Sequence, residues 1–455
     1  MFDKILIANR GEIALRVIRA CRDLGVRTVL AHSARDADSL PARLADETVC
    51  VGPPAARRSY LNAAAILQAA VGTGAQAVHP GYGFLSEDAD FADACRSTGI
   101  TLIGPPADVM AVLGSKVSAR RLMSDAGLPL LPGATEPLDL AAAAELGERI
   151  GFPLLIKAAA GGGGRGMGVA WNAGALPDVF RSTQAAAATL FGDPRVYAER
   201  YLTRARHVEV QVLADRHGNV LHLGERDCSL QRRHQKLVEE SPAPALPDGL
   251  VARIRDAAVT GARAAGYEGA GTFEFLVESA GEASEFYFME VNCRIQVEHP
   301  VTEMVTGIDL VAEQIRVAAG ERLRLTQRDV VLNGTAIECR INAEDPRRQF
   351  APTPGVLTEL SLPAGPFVRV DTHAHPGYLI APEYDSMIAK IISWAPDRDT
   401  AIARMRRALG ETSARGDGVH TTAGFLDELI DSPEFRSATH TTGHIDALAE
   451  ARAAT

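Results

Sequence analysis

Lysine is scarce in this 455-residue chain: it occurs at positions 4, 116, 157, 236 and 390 only, so arginine supplies 42 of the 47 cations. A position that keeps lysine against such a background is a candidate for a compact ammonium and not for a generic surface cation. Cysteine is sparse too. The six, at 21, 50, 95, 228, 293 and 339, stand at least 29 positions apart, which excludes a CxxC zinc or redox pair. Isolated cysteines suit a reducing compartment. Basic charge is not in excess: 57 acidic against 47 basic residues leave a net −10, which argues against a general nucleic-acid or membrane-surface binder. Long apolar runs are missing as well. Residues 59–86 carry no formal charge but are broken by Asn62, Gln68, Gln76, His79 and Pro80, and the charge-free stretch 5–9 is too short for a secretory core. What remains is 46% apolar and 23% charged, the composition of a soluble, cytoplasmic globular protein. Its length suggests about three domains.

The first 115 residues alternate short apolar strands (4–9, 28–32, 48–51, 77–79 and 101–103) with amphipathic stretches such as 11–24. That rhythm predicts a doubly wound parallel sheet with right-handed crossovers. Its first turn, Asn9-Arg10-Gly11-Glu12, is not GxGxxG, which speaks against a dinucleotide site. His79-Pro80-Gly81-Tyr82-Gly83-Phe84 falls at a strand's carboxyl end, where such sheets bind ligands. One helix carrying Met110, Leu113, Val117 and Leu122 and a linker with Pro129 and Pro132 follow. The expected architecture is a multidomain α/β protein: a Rossmann-like domain at 1–115, a small α+β lid at 130–204, an antiparallel β-rich core at 205–330 and a C-terminal domain at 331–455.

Four constellations carry chemistry. Lys157 precedes a glycine run through Gly161–Gly164 to Gly166, in which side-chain-free backbone can donate several N–H groups to phosphate oxygens. No GK[ST] follows, so it is not a Walker A loop; the strand after it makes a strand–loop–strand flap, a pattern a surface hairpin would share. Glu274 and Glu290 lie in two β-patterned runs. If equal parity places them opposite each other, they and Asn292 present hard oxygen ligands suited to Mg²⁺. Residues 226–236, ending in Lys236, form a cationic stretch expected as a loop beyond a strand. Continued strand alternation from Asn292 would turn Arg294, Gln296 and Glu298 to one face, where guanidinium, amide and carboxylate can bind and deprotonate a small oxyacid.

These residues resemble the biotin carboxylase component of bacterial acetyl-CoA carboxylase, an ATP-grasp family. The resemblance rests on six motifs in order, at 7–14, 79–87, the glycine flap, 225–236, 294–303 and 338–346. It implies ATP-dependent carboxylation of biotin by bicarbonate through carboxyphosphate, with ATP, Mg²⁺ (or Mn²⁺) and bicarbonate as the bound species. It places Lys116, Lys157, His207 and the flap's Gly163 and Gly164 at the phosphates, Glu199, Arg200, Tyr201 and Leu202 at the adenine, and Gln231 and His234 at the ribose. Glu274, Glu290 and Asn292 would hold the metal. Lys236, Arg294, Gln296 and the Val297 backbone would cradle bicarbonate, Glu298 would take its proton, and Arg340 with Tyr82 would face biotin. Ala160, Cys293 and Glu383 depart from the family pattern without removing a proposed group. None of the five lysines follows a methionine, unlike a biotin attachment site, and the chain ends soon after a C-terminal helix. A separate biotin carboxyl carrier protein and carboxyltransferase subunits are therefore the expected partners, with no nucleic acid and no membrane, and the resemblance implies a homodimer. Another ATP-grasp ligase and a non-enzymatic ATP sensor are the rivals.

Overall fold

The computed structural model describes residues 1–134, 136–159, 166–278 and 284–453. Strands β1 (Lys4–Ile7), β2 (Arg27–Ser33), β3 (Glu47–Gly52), β4 (Ala77–His79) and β5 (Thr101–Leu102) form a parallel sheet in the order β3-β2-β1-β4-β5. Ile5, Leu6 and Ile7 are wholly buried, as expected of a strand covered on both faces by helices. The strand order turns at β1, which puts the ligand crevice of such a sheet there. Asn9 closes it, its amide donating to the carbonyls of Pro80 (2.7 Å) and Tyr82 (2.8 Å).

The single helix expected around Met110–Leu122 is two, Ala107–Gly114 and Lys116–Asp125. Gly114 is a poor helix former, and the Ser115 hydroxyl accepts the Ser118 amide as an N-cap, so the chain restarts and Lys116 becomes the first residue of the second helix.

A separate three-stranded antiparallel sheet follows, β6 (Leu154–Ala158), β7 (Met167–Ala170) and β8 (Val196–Arg200) in the order β7-β6-β8. With the helices Leu140–Ile150 and Leu176–Phe191 it encloses its own core of Leu146, Leu154, Ile156, Phe180 and Val196.

The rest is built on one antiparallel sheet of eight strands. These are β9 (Ala205–Ala214), β10 (Val220–Arg232), β11 (Gln235–Ser241), β12 (Gly269–Glu278), β13 (Glu285–Asn292), β14 (Thr335–Asn342) and the strands Val368–Thr372 and Met387–Ala395. The order is β13-β12-β9-β10-β11-β14, then Met387–Ala395, with Val368–Thr372 at the edge. Residues 205–330 and 331–455 thus contribute to a single sheet, joined where β11 pairs with β14 through Val238 and Cys339.

Two local expectations are corrected. The cationic stretch 226–236 is not a loop: β10 runs on through Arg232, turns at Arg233 and His234, both with positive φ, and returns as β11. Charge is tolerated inside that strand because Arg226 and Asp227 meet partners from other strands. Nor does strand alternation continue past Asn292. β13 stops there, 293–298 is irregular, and the helix His299–Thr306 begins with Pro300 in its first turn.

Candidate active site

The sheet register builds the site as a row across strands. Glu290 on β13 lies opposite Glu274 on β12, Glu274 opposite Glu209 on β9, and Glu209 opposite Arg226 on β10. The parity condition on Glu274 and Glu290 is met. Arg226 is completely buried and anchors the row, donating to Glu209 (2.6 Å), Gln211 (2.8 Å), Thr302 (2.9 Å) and Thr272 (3.2 Å).

Lys236, entering from β11, puts its Nζ among three carboxylates: Glu209 Oε2 (2.5 Å), Glu298 Oε1 (2.6 Å) and Glu274 Oε1 (3.0 Å). Burial opposes its charge, but the three carboxylates hold the ammonium well above the ordinary lysine range. Glu298 is gripped from the other side by Arg340, whose Nη2 donates to Oε2 at 3.0 Å. Against the cost of burial, Lys236, Arg340 and Arg226 hold Glu298 ionised well below the usual carboxylate range. It can act as a base only when an incoming anion draws Lys236 or Arg340 away. Arg340 in turn rests on Glu239, donating through Nε at 2.6 Å.

The irregular segment after β13 still brings its residues together, by side-chain bonds instead of alternation. Arg294 donates to Gln296 Oε1 (2.9 Å), Asn292 Oδ1 (3.0 Å) and Glu87 Oε2 (3.0 Å). Asn292 and Gln296 both donate to Glu274 Oε1, at 2.8 and 3.4 Å. The Val297 carbonyl accepts from Lys390 at 2.8 Å. Tyr82 donates its hydroxyl to Glu12, and Arg340 is close enough to act on it electrostatically.

A cation fits this donor set. Burial, then Glu274 beside it, push the Glu290 carboxyl above its ordinary range, a repulsion that a divalent ion between the two would remove. Asn292 adds a hard amide oxygen, which Arg294 engages here. Donor atoms of His207, Glu209 and Glu274 also lie within 4.8 Å of one another. Burial works against charge on His207, but Glu274, 3.1 Å from its Nε2, raises its pKa.

On the three-stranded sheet, Lys157 on β6 is ion-paired with Glu199 on β8, and Arg120 donates to the same carboxylate at 2.7 Å. The Glu199 side chain is therefore committed to cations of its own chain. Lys116 is pushed below its ordinary range by burial, with Glu290, Lys157 and Glu199 around it. Arg200 reaches Glu278 at 3.1 Å, Tyr201 meets the exposed Trp171 edge to face at 5.9 Å, and Leu202 is buried against Leu131. The backbone amides of Arg200 and Tyr201 are already bonded to Pro132 and Pro153. Gln231 pairs with Lys236 across the β10–β11 turn, and exposed His234 forms that turn. Gly163 and Gly164 lie outside the described residues.

Reasoning from the residues missed Glu209, Glu87, Glu239, Arg120, Glu12 and Lys390. The alternating His207, Glu209 and Gln211 could have revealed Glu209, and lysine scarcity marked Lys390 without suggesting a place for it.

Three family models match in series: "Biotin carboxylase, N-terminal domain" over 1–110, "Carbamoyl-phosphate synthase L chain, ATP binding domain" over 115–326 and "Biotin carboxylase C-terminal domain" over 338–447. The chain is 51% identical to a biotin carboxylase of Nostoc sp. over 98% of its own length and 99% of the relative's. It is 50% identical to a pyruvate carboxylase subunit of Methanothermobacter thermautotrophicus, covering 98% and 90%. Among solved structures, a biotin carboxylase–ATP-analogue complex from Campylobacter jejuni superposes with TM-score 0.94 at 45% identity, covering 98% and 99%. The biotin carboxylase domain of Hydrogenobacter thermophilus 2-oxoglutarate carboxylase, a dimer bound to MgADP, ADP and bicarbonate, gives 0.93 at 45% identity, covering 98% of each chain. The chain belongs to the biotin carboxylase family of ATP-dependent carboxylases, within the ATP-grasp enzymes.

Proposed function

We propose that this chain carboxylates biotin on a separate carrier protein, using ATP, Mg²⁺ (or Mn²⁺) and bicarbonate, as the first half-reaction of acetyl-CoA carboxylase in fatty acid synthesis. The observation that carries the reading is Glu298 held between Lys236 and Arg340 on the sheet face that presents Glu274 and Glu290. A basic pair around one carboxylate, beside a metal-ready pair, is what an anion needs if it is to be bound, deprotonated and phosphorylated in one place.

Glu274, Glu290 and Asn292 would hold the metal, which when bound neutralises charge on the ATP phosphates. Lys116, Lys157 and His207 would approach the phosphates, with Gly163 and Gly164 as the further phosphate-binding residues of this reading. Glu199, Arg200, Tyr201 and Leu202 border the adenine, and Gln231 and His234 the ribose. Segment 130–204 acts as the lid, excluding water from an intermediate that water would destroy. Bicarbonate enters between Lys236, Arg294, Gln296 and the Val297 backbone and competes for Lys236, which frees Glu298 to take its proton. The resulting oxyanion attacks the γ-phosphorus and ADP leaves, giving carboxyphosphate. Its C–O bond breaks to CO₂ and phosphate; phosphate takes the N1′ proton of biotin, and the nitrogen attacks CO₂. Arg340 stabilises the negative ureido oxygen, and Tyr82 stands beside the ring.

None of the five lysines here follows a methionine, so the biotin substrate is assigned to a carrier protein, with carboxyltransferase subunits downstream. The Hydrogenobacter dimer supports a homodimer, and six free cysteines support a cytoplasmic setting. No helix among the described residues is long and apolar enough to cross a membrane. The pyruvate carboxylase relative favours a second reading in which the downstream acceptor is an oxo acid.

The deciding experiment measures ATP hydrolysis with Mg²⁺ and bicarbonate, with and without free biotin. Biotin is expected to raise the rate and to yield an acid-labile carboxyl group on itself. Indifference to biotin would reject the carboxylase reading in favour of another ATP-grasp ligase.

A further inference from the structure

Lys390 is one of the five lysines, lies on the sheet strand Met387–Ala395 and is completely buried. Its neighbours along that strand, Ile388, Ala389, Ile391 and Ile392, are buried and apolar, so an ammonium there needs a reason. In the register it lies between Arg340 on β14 and Asp371 on the edge strand. Its Nζ donates to the Val297 carbonyl at 2.8 Å and stands 3.1 Å from Glu12 Oε1. That same carboxylate oxygen accepts the Tyr82 hydroxyl. The other Glu12 oxygen is buried with no hydrogen-bond partner among the described residues, so Lys390 is the cation among its direct contacts.

We propose that Lys390 is a positioning residue that ties the bicarbonate cradle to the biotin side of the cleft. One ammonium orients the peptide joining Val297 to Glu298, and through Glu12 it fixes the hydroxyl of Tyr82. The two half-sites come from distant parts of the chain, the turn before the helix His299–Thr306 and the turn after β4. Glu87 in the second turn ties to the start of the first, accepting the Cys293 amide at 2.8 Å and Arg294 Nε at 3.0 Å; Lys390, bridging a carbonyl and a carboxylate, adds a second tie beside Glu298 and Tyr82. Arginine, with its planar fork, cannot replace it between two acceptors placed at one point. This inference rests on the proposed roles of Val297 and Tyr82.

The test compares the full-length wild type with Lys390→Met, Lys390→Arg and the double variant Lys390→Met/Glu12→Gln. The double variant removes both opposite charges at nearly unchanged volume, so it guards against misfolding of the singles. Three quantities are read: MgATP affinity by calorimetry, KM for bicarbonate in ATP hydrolysis, and KM for free biotin in carboxylation. The double variant is expected to bind MgATP within about twofold of wild type, while both KM values rise at least about fivefold; Lys390→Arg does not restore them. Wild-type KM values, a rise in only one of the two, restoration by Arg, or loss of MgATP binding in the double variant would each overturn the proposal. Wild-type enzyme indifferent to bicarbonate or biotin would instead reject the functional reading itself.

Discussion

Glu239 and Glu338 face each other across β11 and β14, and both are completely buried. Glu239 gives one oxygen to Arg340; its other oxygen and both oxygens of Glu338 have no hydrogen-bond partner among the described residues. Burial pushes Glu338 well above its ordinary value of 4.5, with Glu239 adding to the rise and Lys390 opposing it. Burial also raises Glu239, to about 7 with Arg340 opposing the rise, so the two carboxyls titrate as a pair. Because the folded value of Glu338 lies above the unfolded one, its contribution to stability is complete below about pH 4.5 and is lost as pH rises through the folded value. Glu338→Gln carries no such loss. Its unfolding free energy relative to wild type should therefore improve from pH 5 to pH 8, by up to about 1.4 kcal/mol per pH unit; a pH-independent difference would contradict the protonated assignment. At the neighbouring carboxylate, Glu298→Gln should lower biotin carboxylation at least about 100-fold and leave MgATP affinity within about threefold, as loss of a general base requires. Unchanged carboxylation would remove Glu298 from the mechanism. Glu298 could be singled out in the sequence, but not the partners that set the protonation of these carboxyls: Lys236 and Arg340 lie on strands 42 to 101 positions from the carboxylates they meet.

At the scale of elements, the turn after β4 shows what glycine spacing could and could not reveal. The reading of 79–84 as a tight turn at a strand's carboxyl end holds: Gly81 and Gly83 have φ of +64° and +65°. Its partner was not legible. A Cβ on Gly81 would lie 2.8 Å from the Asn9 amide nitrogen, the group that holds the carbonyls on either side of it. His79 accepts the Gly81 amide at 3.0 Å, and burial pushes its pKa down to about 3, so the ring stays neutral. Gly81→Ala should cost about 1–3 kcal/mol of stability and raise KM for biotin more than KM for ATP, since the turn carries Tyr82. Equal changes in both constants would place the effect elsewhere. The strand reading of 292–298 failed for a related reason. A run of alternating polar side chains looks the same whether sheet pairing or side-chain bonds converge them, and Pro300 favours a helix start.

For the whole molecule, the division at 330 that the sequence suggested is crossed by hydrogen bonds. β11 pairs with β14 and carries Lys236, while β14 carries Arg340. The three-stranded sheet β7-β6-β8 has its own core and pairs with none of these strands. Native-state hydrogen exchange should give β11 and β14 opening free energies within about 1 kcal/mol of each other, with β6–β8 opening independently. Separate opening of β11 and β14 would mean that the two halves of the sheet are distinct cooperative units. The sequence alone determined the layer pattern and the family, and it offered Glu274 and Glu290 as a pair on a condition of register, because period-two and period-3.6 patterning and contiguous motifs are local properties of a chain. Only the tertiary structure decided that Lys236 sits among Glu209, Glu274 and Glu298, that Arg340 leans on Glu239, and that Lys390 stands between the Val297 carbonyl and Glu12. Which carboxylate a buried cation meets depends on strand order and register between segments far apart in sequence, where burial makes every unmatched charge costly.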